Sequence, residues 1–197
     1  MEFAHKPVML AECIEALKIK PDGIYLDGTM GGGGHSYEIA KRLTEGGRLI
    51  AFDKDADAHE AAGKRLEEYA DRVTFVCDDF KNACAGLDEL GIKTLDGVLL
   101  DLGVSSWQID SAERGFSYVK DAPLDMRMDR GAELSARDVV NGYTESELAR
   151  IFREYGEEKL AGKIAARIAR EREKRPIDTT LQLADLVAAC YPPATRH

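Results

Sequence analysis

Residues 25–36 read YLDGTMGGGGHS, which places four consecutive glycines behind an apolar run that ends in an aspartate. Glycine adopts positive φ and leaves room beside the backbone, so such a cluster permits a tight turn whose N–H groups approach a ligand. The stretch therefore predicts a strand, a ligand-binding turn and the start of a helix. Which ligand the turn serves depends on the residues around it.

Four apolar, β-rich runs alternate with helical patterns over the first hundred or so residues. The runs IYLDGT, RLIAFD, VTFVC and GVLLDL begin at residues 24, 48, 73 and 97. Strands that alternate with helices are typical of a parallel sheet, and strands without strict polar alternation are typical of a sheet covered on both faces. The pattern predicts an α/β domain.

This alternation stops after Leu102. Residues 103–133 form a long segment with few helix signals, and loops of that length are usually functional. Helices are predicted over residues 135–143, 144–156, 157–175 and 179–191, the second of them opened by a capping box of Thr144 and Glu147. The second half is therefore predicted to be a helical module.

Composition limits the class of protein. The 197 residues, 44% of them hydrophobic, suffice for one core or for a domain with a smaller insertion. No apolar run reaches the ~18 residues of a membrane span, and the first residues lack a signal-peptide pattern. The four cysteines (Cys13, Cys77, Cys84 and Cys190) have neither Cys-x-x-Cys nor zinc spacing. We expect a cytoplasmic protein with reduced thiols and no metal site.

The charge is unevenly distributed. Residues 131–197 carry eleven basic and eleven acidic side chains, so the whole net charge of −9 falls on residues 1–130. A negative net charge argues weakly against a nucleic-acid partner, but the neutral second half weakens that objection. The difference also indicates two domains.

The acids at the ends of the first two runs indicate the ligand of the glycine turn. Asp53 ends the second run, where an acid takes both ribose hydroxyls of an adenosine. The dinucleotide pattern G-x-G-x-x-G is imperfect, because its sixth position is Ser36. Asp27 would repel a diphosphate but attract the ammonium group of S-adenosylmethionine. The acid-x-small-x-Gly-x-Gly form that suits this cofactor comprises Asp27, Thr29, Gly31 and Gly33. A turn that only permits tight packing, with Asp53 as a helix cap, stays open.

Polar side chains also follow the third and fourth runs. After the third, an acid, Asp78 or Asp79, can bond an adenine amino group and Phe80 can lie against the ring; helix capping by the two acids is the alternative. The carboxyl ends of such strands face the reacting centre. The candidates after the fourth run are Asp101, Ser105, Ser106 and Gln108, with capping by the serines left open.

Five motifs resemble the RsmH (MraW) family of bacterial S-adenosylmethionine-dependent 16S rRNA (cytosine-N4) methyltransferases. They are HKPVML.E, GIYLDGTMGGGGHS, DGVLLDLGVSSWQID, AERGFS and DAPLDMRMD, and the resemblance extends over nearly the whole chain. The resemblance implies a class I (Rossmann-like) methyltransferase fold with an all-helical recognition domain inserted after the fourth strand. It implies as substrate a cytidine of the decoding region. Trp107 stands where family members commonly have proline. The implied cofactor contacts are Gly33, Gly34, His35, Asp53, Phe80, Asp101 and Gln108.

The implied reaction demands alignment. Cytosine N4 is a poor nucleophile because its lone pair is delocalised, whereas the methyl sulfonium is already activated. The protein must hold N4, the methyl carbon and sulfur in line and offer acceptors to the N4 hydrogens, and the base must first be unstacked. Asp101, Ser105 and Ser106 are the candidate catalytic residues. His35 is expected to orient the turn or to touch the cofactor rather than to act as a base.

RNA contacts are predicted for the helical module. Residues 150–175 hold nine basic and five acidic side chains, and a merely solvated helix face is the alternative. Arg127 is predicted either to lie near a phosphate or to pair with Asp125 or Asp129. The candidate RNA-binding residues are Arg127, Lys163, Arg167 and Arg170.

The predicted domains are residues 1–107, which bind the cofactor, and residues 108–197, the helical insertion. A class I sheet has more strands than the four found, so we expect a chain truncated at its C-terminus, with a natural short form as the alternative. Either would expose a sheet edge and is expected to self-associate, for example as a homodimer. Such a chain is expected to have little activity alone. A non-catalytic cofactor- or RNA-binding fragment and an NAD-dependent oxidoreductase are the alternatives. Whether naked RNA or the small ribosomal subunit is the substrate stays open.

Overall fold

The computed structural model describes residues 7–192, so His5 and Lys6 of the HKPVML motif lie outside the described residues. The chain divides into two compact units, Met1–Ser105 and Ser106–His197, at a boundary two residues before the expected one. The first unit contains a four-stranded parallel sheet in the order β3-β2-β1-β4. Its strands are β1 (Ile24–Asp27), β2 (Arg48–Phe52), β3 (Val73–Val76) and β4 (Gly97–Leu99). Each lies within its predicted run, and the α/β prediction is confirmed.

Helices cover both faces of this sheet. They are α1 (Leu10–Leu17), α2 (Gly34–Ala40), α3 (Ala56–Arg65) and α4 (Ala83–Glu89), with short 3₁₀ helices at Glu67–Tyr69 and Phe80–Asn82. Tyr25 and Leu49 pack in one cluster with residues of α1, α2 and α3, whereas Leu26 and Ile50 pack in another with residues of α4. Because successive side chains of a strand point to opposite faces, these two clusters explain why the strands are apolar throughout.

The second unit is built from helices. They are α5 (Ser106–Asp110), α6 (Ala136–Gly142), α7 (Glu145–Glu154), α8 (Ala161–Arg172) and α9 (Thr180–Ala188). The predicted capping box of Thr144 and Glu147 is present, and a second one joins Ser135 to Asp138. Within residues 106–192 the only extended pairing is an isolated bridge between Pro123 and Thr179. Leu148, Ile164 and Ile168 are among the residues of its core.

The long segment 103–133 is more ordered than its sequence indicates. It contains α5 and a 3₁₀ helix at Ala112–Arg114. Arg114 is 2% exposed and donates from Nη2 to the carbonyl groups of Arg127 (3.0 Å) and Met128 (2.9 Å). A Cβ on Gly115 would lie 2.5 Å from the Pro123 carbonyl oxygen. The AERGFS and DAPLDMRMD motifs are therefore interlocked parts of one loop.

Candidate active site at the carboxyl edge of the sheet

The glycine turn leaves the end of β1 and is tied to the strands on both sides of it. The Gly28 N–H donates to the Leu99 carbonyl on β4 (2.9 Å), and the Met30 N–H donates to the Phe52 carbonyl on β2 (3.0 Å). The Gly31 N–H donates to Oδ2 of Asp53 (2.8 Å). All four strands are parallel, so the polar residues that follow them meet at this one edge, where ligands bind in open α/β sheets.

The glycines of the turn have different neighbours. Gly33 has φ 76°, and a Cβ there would lie 3.1 Å from the Cβ of Ala62 on α3. A Cβ on Gly34 would lie 2.2 Å from Cγ of Pro7. Gly31 has φ 52°, and the nearest atom to its Cβ would be the Thr29 carbonyl oxygen at 3.9 Å. Protein atoms thus crowd a side chain at Gly33 and exclude one at Gly34 unless Pro7 shifts, while the space beside Gly31 is free of close protein atoms.

Asp27 supports the turn from inside the protein. Its side chain is fully buried, with Oδ2 accepting the Ser36 hydroxyl (2.7 Å) and Oδ1 accepting the Thr29 N–H (3.1 Å). Burial raises the pKa of this carboxyl, and the bonds from Ser36 and Thr29 oppose that rise. Its predicted attraction to a ligand ammonium finds no support in these contacts, which instead connect β1 to α2.

Asp53 closes the turn from β2. Oδ2 accepts from Gly31, and Oδ1 accepts the Asp55 N–H (2.9 Å). The N-cap of α3 is Asp55, which accepts from Asp57, so the alternative that made Asp53 the helix cap is wrong. A carboxylate oxygen has more than one acceptor site. Asp53 can therefore hold the turn and still accept ribose hydroxyls.

The residues after β3 combine a capping acid with an accessible ring. Asp79 accepts the Lys81 N–H (3.0 Å) as the N-cap of the 3₁₀ helix, as the capping alternative held, and forms an ion pair with Lys54 (3.0 Å). The bonds to Lys81 and Lys54 keep the pKa of Asp79 below its ordinary value. Phe80 is 38% exposed, which leaves its ring available to a planar ligand. The Lys54 partner was missed by the sequence analysis, because nothing in its local pattern marks it.

Asp101 follows β4 with an exposed side chain. Its backbone N–H donates to Oγ1 of Thr29 (2.6 Å), and no described residue forms a hydrogen bond or ion pair with its carboxylate. Ser105 is the last residue of the first unit, and Ser106 begins α5 in the second. Asp101 is thus the predicted catalytic residue that stands on the sheet edge itself.

His35 and Gln108 are both largely buried. Nε2 of His35 lies 3.1 Å from the Val8 carbonyl oxygen, so the ring connects α2 to the residues before α1. That contact agrees with a role in orienting the turn. Gln108 is 6% exposed and lies on α5 in the second unit. Its predicted cofactor contact stays a prediction.

The predicted RNA-binding residues differ in how many hydrogen bonds and ion pairs they already form within the second unit. Lys163 donates from Nζ to the Cys190 carbonyl, and Nε of Arg167 is buried without a partner among residues 7–192. Arg170 is largely exposed, 3.7 Å from Glu171. Arg127 forms a two-pronged ion pair with Asp125 (2.8 and 2.6 Å) and donates to the Ala132 carbonyl (2.8 Å). Pairing with Asp125, one of the alternatives for Arg127, is therefore what the structure shows.

The chain as a whole matches one family. The model of the MraW methylase family matches residues 2–197. A relative named Ribosomal RNA small subunit methyltransferase H from Lachnospira eligens is 56% identical over 196 residues, and one of the same name from Clostridioides difficile is 54% identical over 196 residues. Both alignments cover 100% of this chain but only 62% and 63% of those relatives.

Among solved structures, an rRNA methylase from Streptococcus thermophilus is 22% identical, with a TM-score of 0.40 over 51% of this chain and 57% of that one. In the described part of the chain, no helix is long and apolar enough to cross a membrane.

Proposed function

Because the chain belongs to the MraW methylase family, we propose that it transfers a methyl group from S-adenosylmethionine to N4 of a cytidine in the decoding region of 16S rRNA. The chain spans about 62% of the length of its curated relatives, so activity, substrate and partners are proposed for it rather than inherited. A methylase family also replaces the NAD-dependent oxidoreductase alternative. One observation carries the proposal: a glycine turn bonded to Asp53 lies at the same sheet edge as the exposed Asp101 carboxylate.

S-adenosylmethionine is the methyl donor of this family, and the residues at this edge fit it. The remaining acceptor sites of Asp53 suit the two ribose hydroxyls, and the exposed ring of Phe80 suits one face of the adenine. The space beside Gly31 lets the tail of the molecule approach the backbone. Asp27 keeps this turn in place from within, through Ser36 and Thr29.

The protein's own task is to orient the acceptor base. The donor supplies an activated methyl group, so the chain has to hold N4 in line with it. The Asp101 carboxylate has no partner among the described residues and can accept an N4 hydrogen as positive charge develops there. Ser105 and Ser106 follow within five residues and are the further candidates. The base must be unstacked to reach this edge, which favours single-stranded or loop RNA.

The helical unit is proposed to hold the RNA. Arg170 is exposed and lies 3.7 Å from Glu171, whereas Lys163, although also exposed, donates to the Cys190 carbonyl just after α9. We therefore assign phosphate contacts to Arg170 first and to Arg167 second. Arg127 contributes mainly by fixing its loop.

Self-association is part of the proposal. β4 pairs with β1 alone within the described sheet, and the apolar side chains of Val98, Leu100 and Leu102 are 49%, 45% and 69% exposed. An apolar strand edge of this kind pairs readily with a second copy. Size-exclusion chromatography with light scattering should show a concentration-dependent dimer, and a Val98→Lys variant should be monomeric; a monomer at every concentration would contradict this part.

Two measurements on the same protein test the function. Calorimetry with S-adenosylhomocysteine asks whether the site binds the cofactor, and labelled methyl transfer to small-subunit RNA, followed by nucleoside mass spectrometry, asks for N4-methylcytidine. The unaltered chain is expected to transfer only slowly, and Asp101→Asn should lose most of that transfer while it retains cofactor binding. A loss of cofactor affinity in this variant would instead assign Asp101 to the cofactor. Binding without any transfer by the unaltered chain would support the non-catalytic fragment instead. Methylation at another atom would refute the cytidine assignment.

A further inference from the structure

The contact between Thr29 and Asp101 continues the sheet beyond the end of its strands. The β1–β4 register ends with Asp27 opposite Leu99, and one more bond joins the Gly28 N–H to the Leu99 carbonyl. There the chain turns away from β4 into the glycine turn. Beyond Leu99, the next backbone N–H that points from β4 towards β1 belongs to Asp101. It donates to the Thr29 hydroxyl oxygen at 2.6 Å. A side chain thus takes the place of a backbone acceptor.

Thr29 is itself firmly held. Its N–H donates to Oδ1 of Asp27, a fully buried side chain whose other oxygen accepts from the buried Ser36. A threonine is β-branched, so its hydroxyl has few rotamers to choose from. Asp27 and Thr29 therefore connect α2 and the glycine turn to Asp101.

We infer that Thr29 is a positioning residue, whose hydroxyl holds the backbone of Asp101 at a fixed distance from the glycine turn. This inference rests on the proposed function, in which the turn carries the methyl donor and Asp101 faces the acceptor. A displacement of about 1 Å between reacting groups can lower a rate roughly a hundredfold. Thr29 thus connects both the glycine turn and Asp101 to the buried Asp27, although it touches neither reacting atom.

The substitution Thr29→Val tests this directly. Valine has nearly the same shape but no acceptor, and Asp101 is exposed enough for its freed N–H to bond water, so the fold should persist. Thr29→Ser restores the hydroxyl. Thr44→Val is the matched control. The Thr44 hydroxyl also bonds a backbone group, the Pro21 carbonyl (3.1 Å), but Thr44 precedes β2 and so lies at the amino ends of the strands, away from the site.

Three readouts are compared among these variants. Amide hydrogen exchange at Asp101 should be about fivefold faster in Thr29→Val, as expected for the loss of one net hydrogen bond. The affinity for S-adenosylhomocysteine should change less than about twofold, since the bonds of Gly31 and Asp53 remain, while single-turnover methyl transfer at saturating donor should fall about tenfold or more. Serine should restore both exchange and rate, and Thr44→Val should alter neither.

The outcomes separate this inference from the function beneath it. Unchanged exchange at Asp101, or an unchanged rate, in Thr29→Val would overturn the positioning role while leaving the methyltransferase intact. An equal loss of rate in Thr44→Val would reduce the effect to general destabilisation and also overturn it. If the unaltered chain binds no cofactor or transfers no methyl group, the proposed function fails, and the catalytic part of this inference falls with it.

Discussion

Alanine at Gly33 and alanine at Gly31 should have different consequences, although both glycines have positive φ. A Cβ on Gly33 would lie 3.1 Å from Cβ and 3.2 Å from Cα of Ala62, whereas a Cβ on Gly31 would meet nothing closer than 3.9 Å. Each substitution incurs the left-handed backbone penalty of about 1–2 kcal/mol. Only Gly33→Ala adds overpacking against α3, which costs typically about 1–3 kcal/mol, because a backbone atom of α3 cannot move aside as a flexible side chain would.

Urea unfolding without ligand measures this difference. We expect Gly33→Ala to lose about 2–5 kcal/mol and Gly31→Ala about 1–2 kcal/mol. Calorimetry with S-adenosylhomocysteine should give the reverse order, since the Cβ of Gly31→Ala occupies the space through which the ligand approaches. Equal losses of stability would refute the packing account of Gly33. Undiminished affinity in Gly31→Ala would refute the ligand's approach to that glycine.

Three further predictions concern single contacts. Asp53→Ala should weaken S-adenosylhomocysteine binding by about 1.5–3 kcal/mol, the range for bonds to a charged group; unchanged affinity in calorimetry would remove the ribose assignment. Arg170→Gln should lower RNA affinity and reduce by about one the slope of log affinity against log salt concentration, whereas Lys163→Gln should lower only the melting temperature. Equal slopes for the two variants and the unaltered chain would indicate a merely solvated helix. Arg127 holds the pKa of Asp125 below its ordinary value of 3.8, so their ion pair contributes fully to the free energy of unfolding above that pH and is lost as the pH falls through the lowered pKa. Asp125→Asn should therefore flatten the decline of stability in acid, and an unaltered decline would contradict the pairing.

The order of elements was readable along the chain because it depends on local patterns. The alternation of apolar runs with helical segments predicted four runs, and each observed strand lies within one of them. The capping box of Thr144 and Glu147 was equally local, since its two residues are three positions apart and bond each other. The order of segment 103–133 was underestimated from the sequence, because α5 is short and the loop is held by Arg114, whose hydrogen-bond partners lie more than ten residues away along the chain.

The sequence predicted the site as a set of residue types, and the structure shows that several of these residues make contacts within the protein instead. Asp27 had the charge to attract an ammonium group, but its complete burial and its bonds to Ser36 and Thr29 make it a support of the turn. Arg127 had the charge for a phosphate, but Asp125 occupies much of its guanidinium. Charge is a property of one residue, whereas burial depends on everything packed around it.

The sequence by itself determined the parallel α/β domain, the helical module after it, the glycine turn and the acids at the strand ends, because periodicity and turn chemistry act over a few residues. Only the tertiary structure decided which glycines face protein, which acid is buried, and that the Thr29 hydroxyl bonds the Asp101 amide across 72 positions. Those contacts join residues that are distant along the chain. No local pattern can specify them, because they exist only once the strands lie side by side.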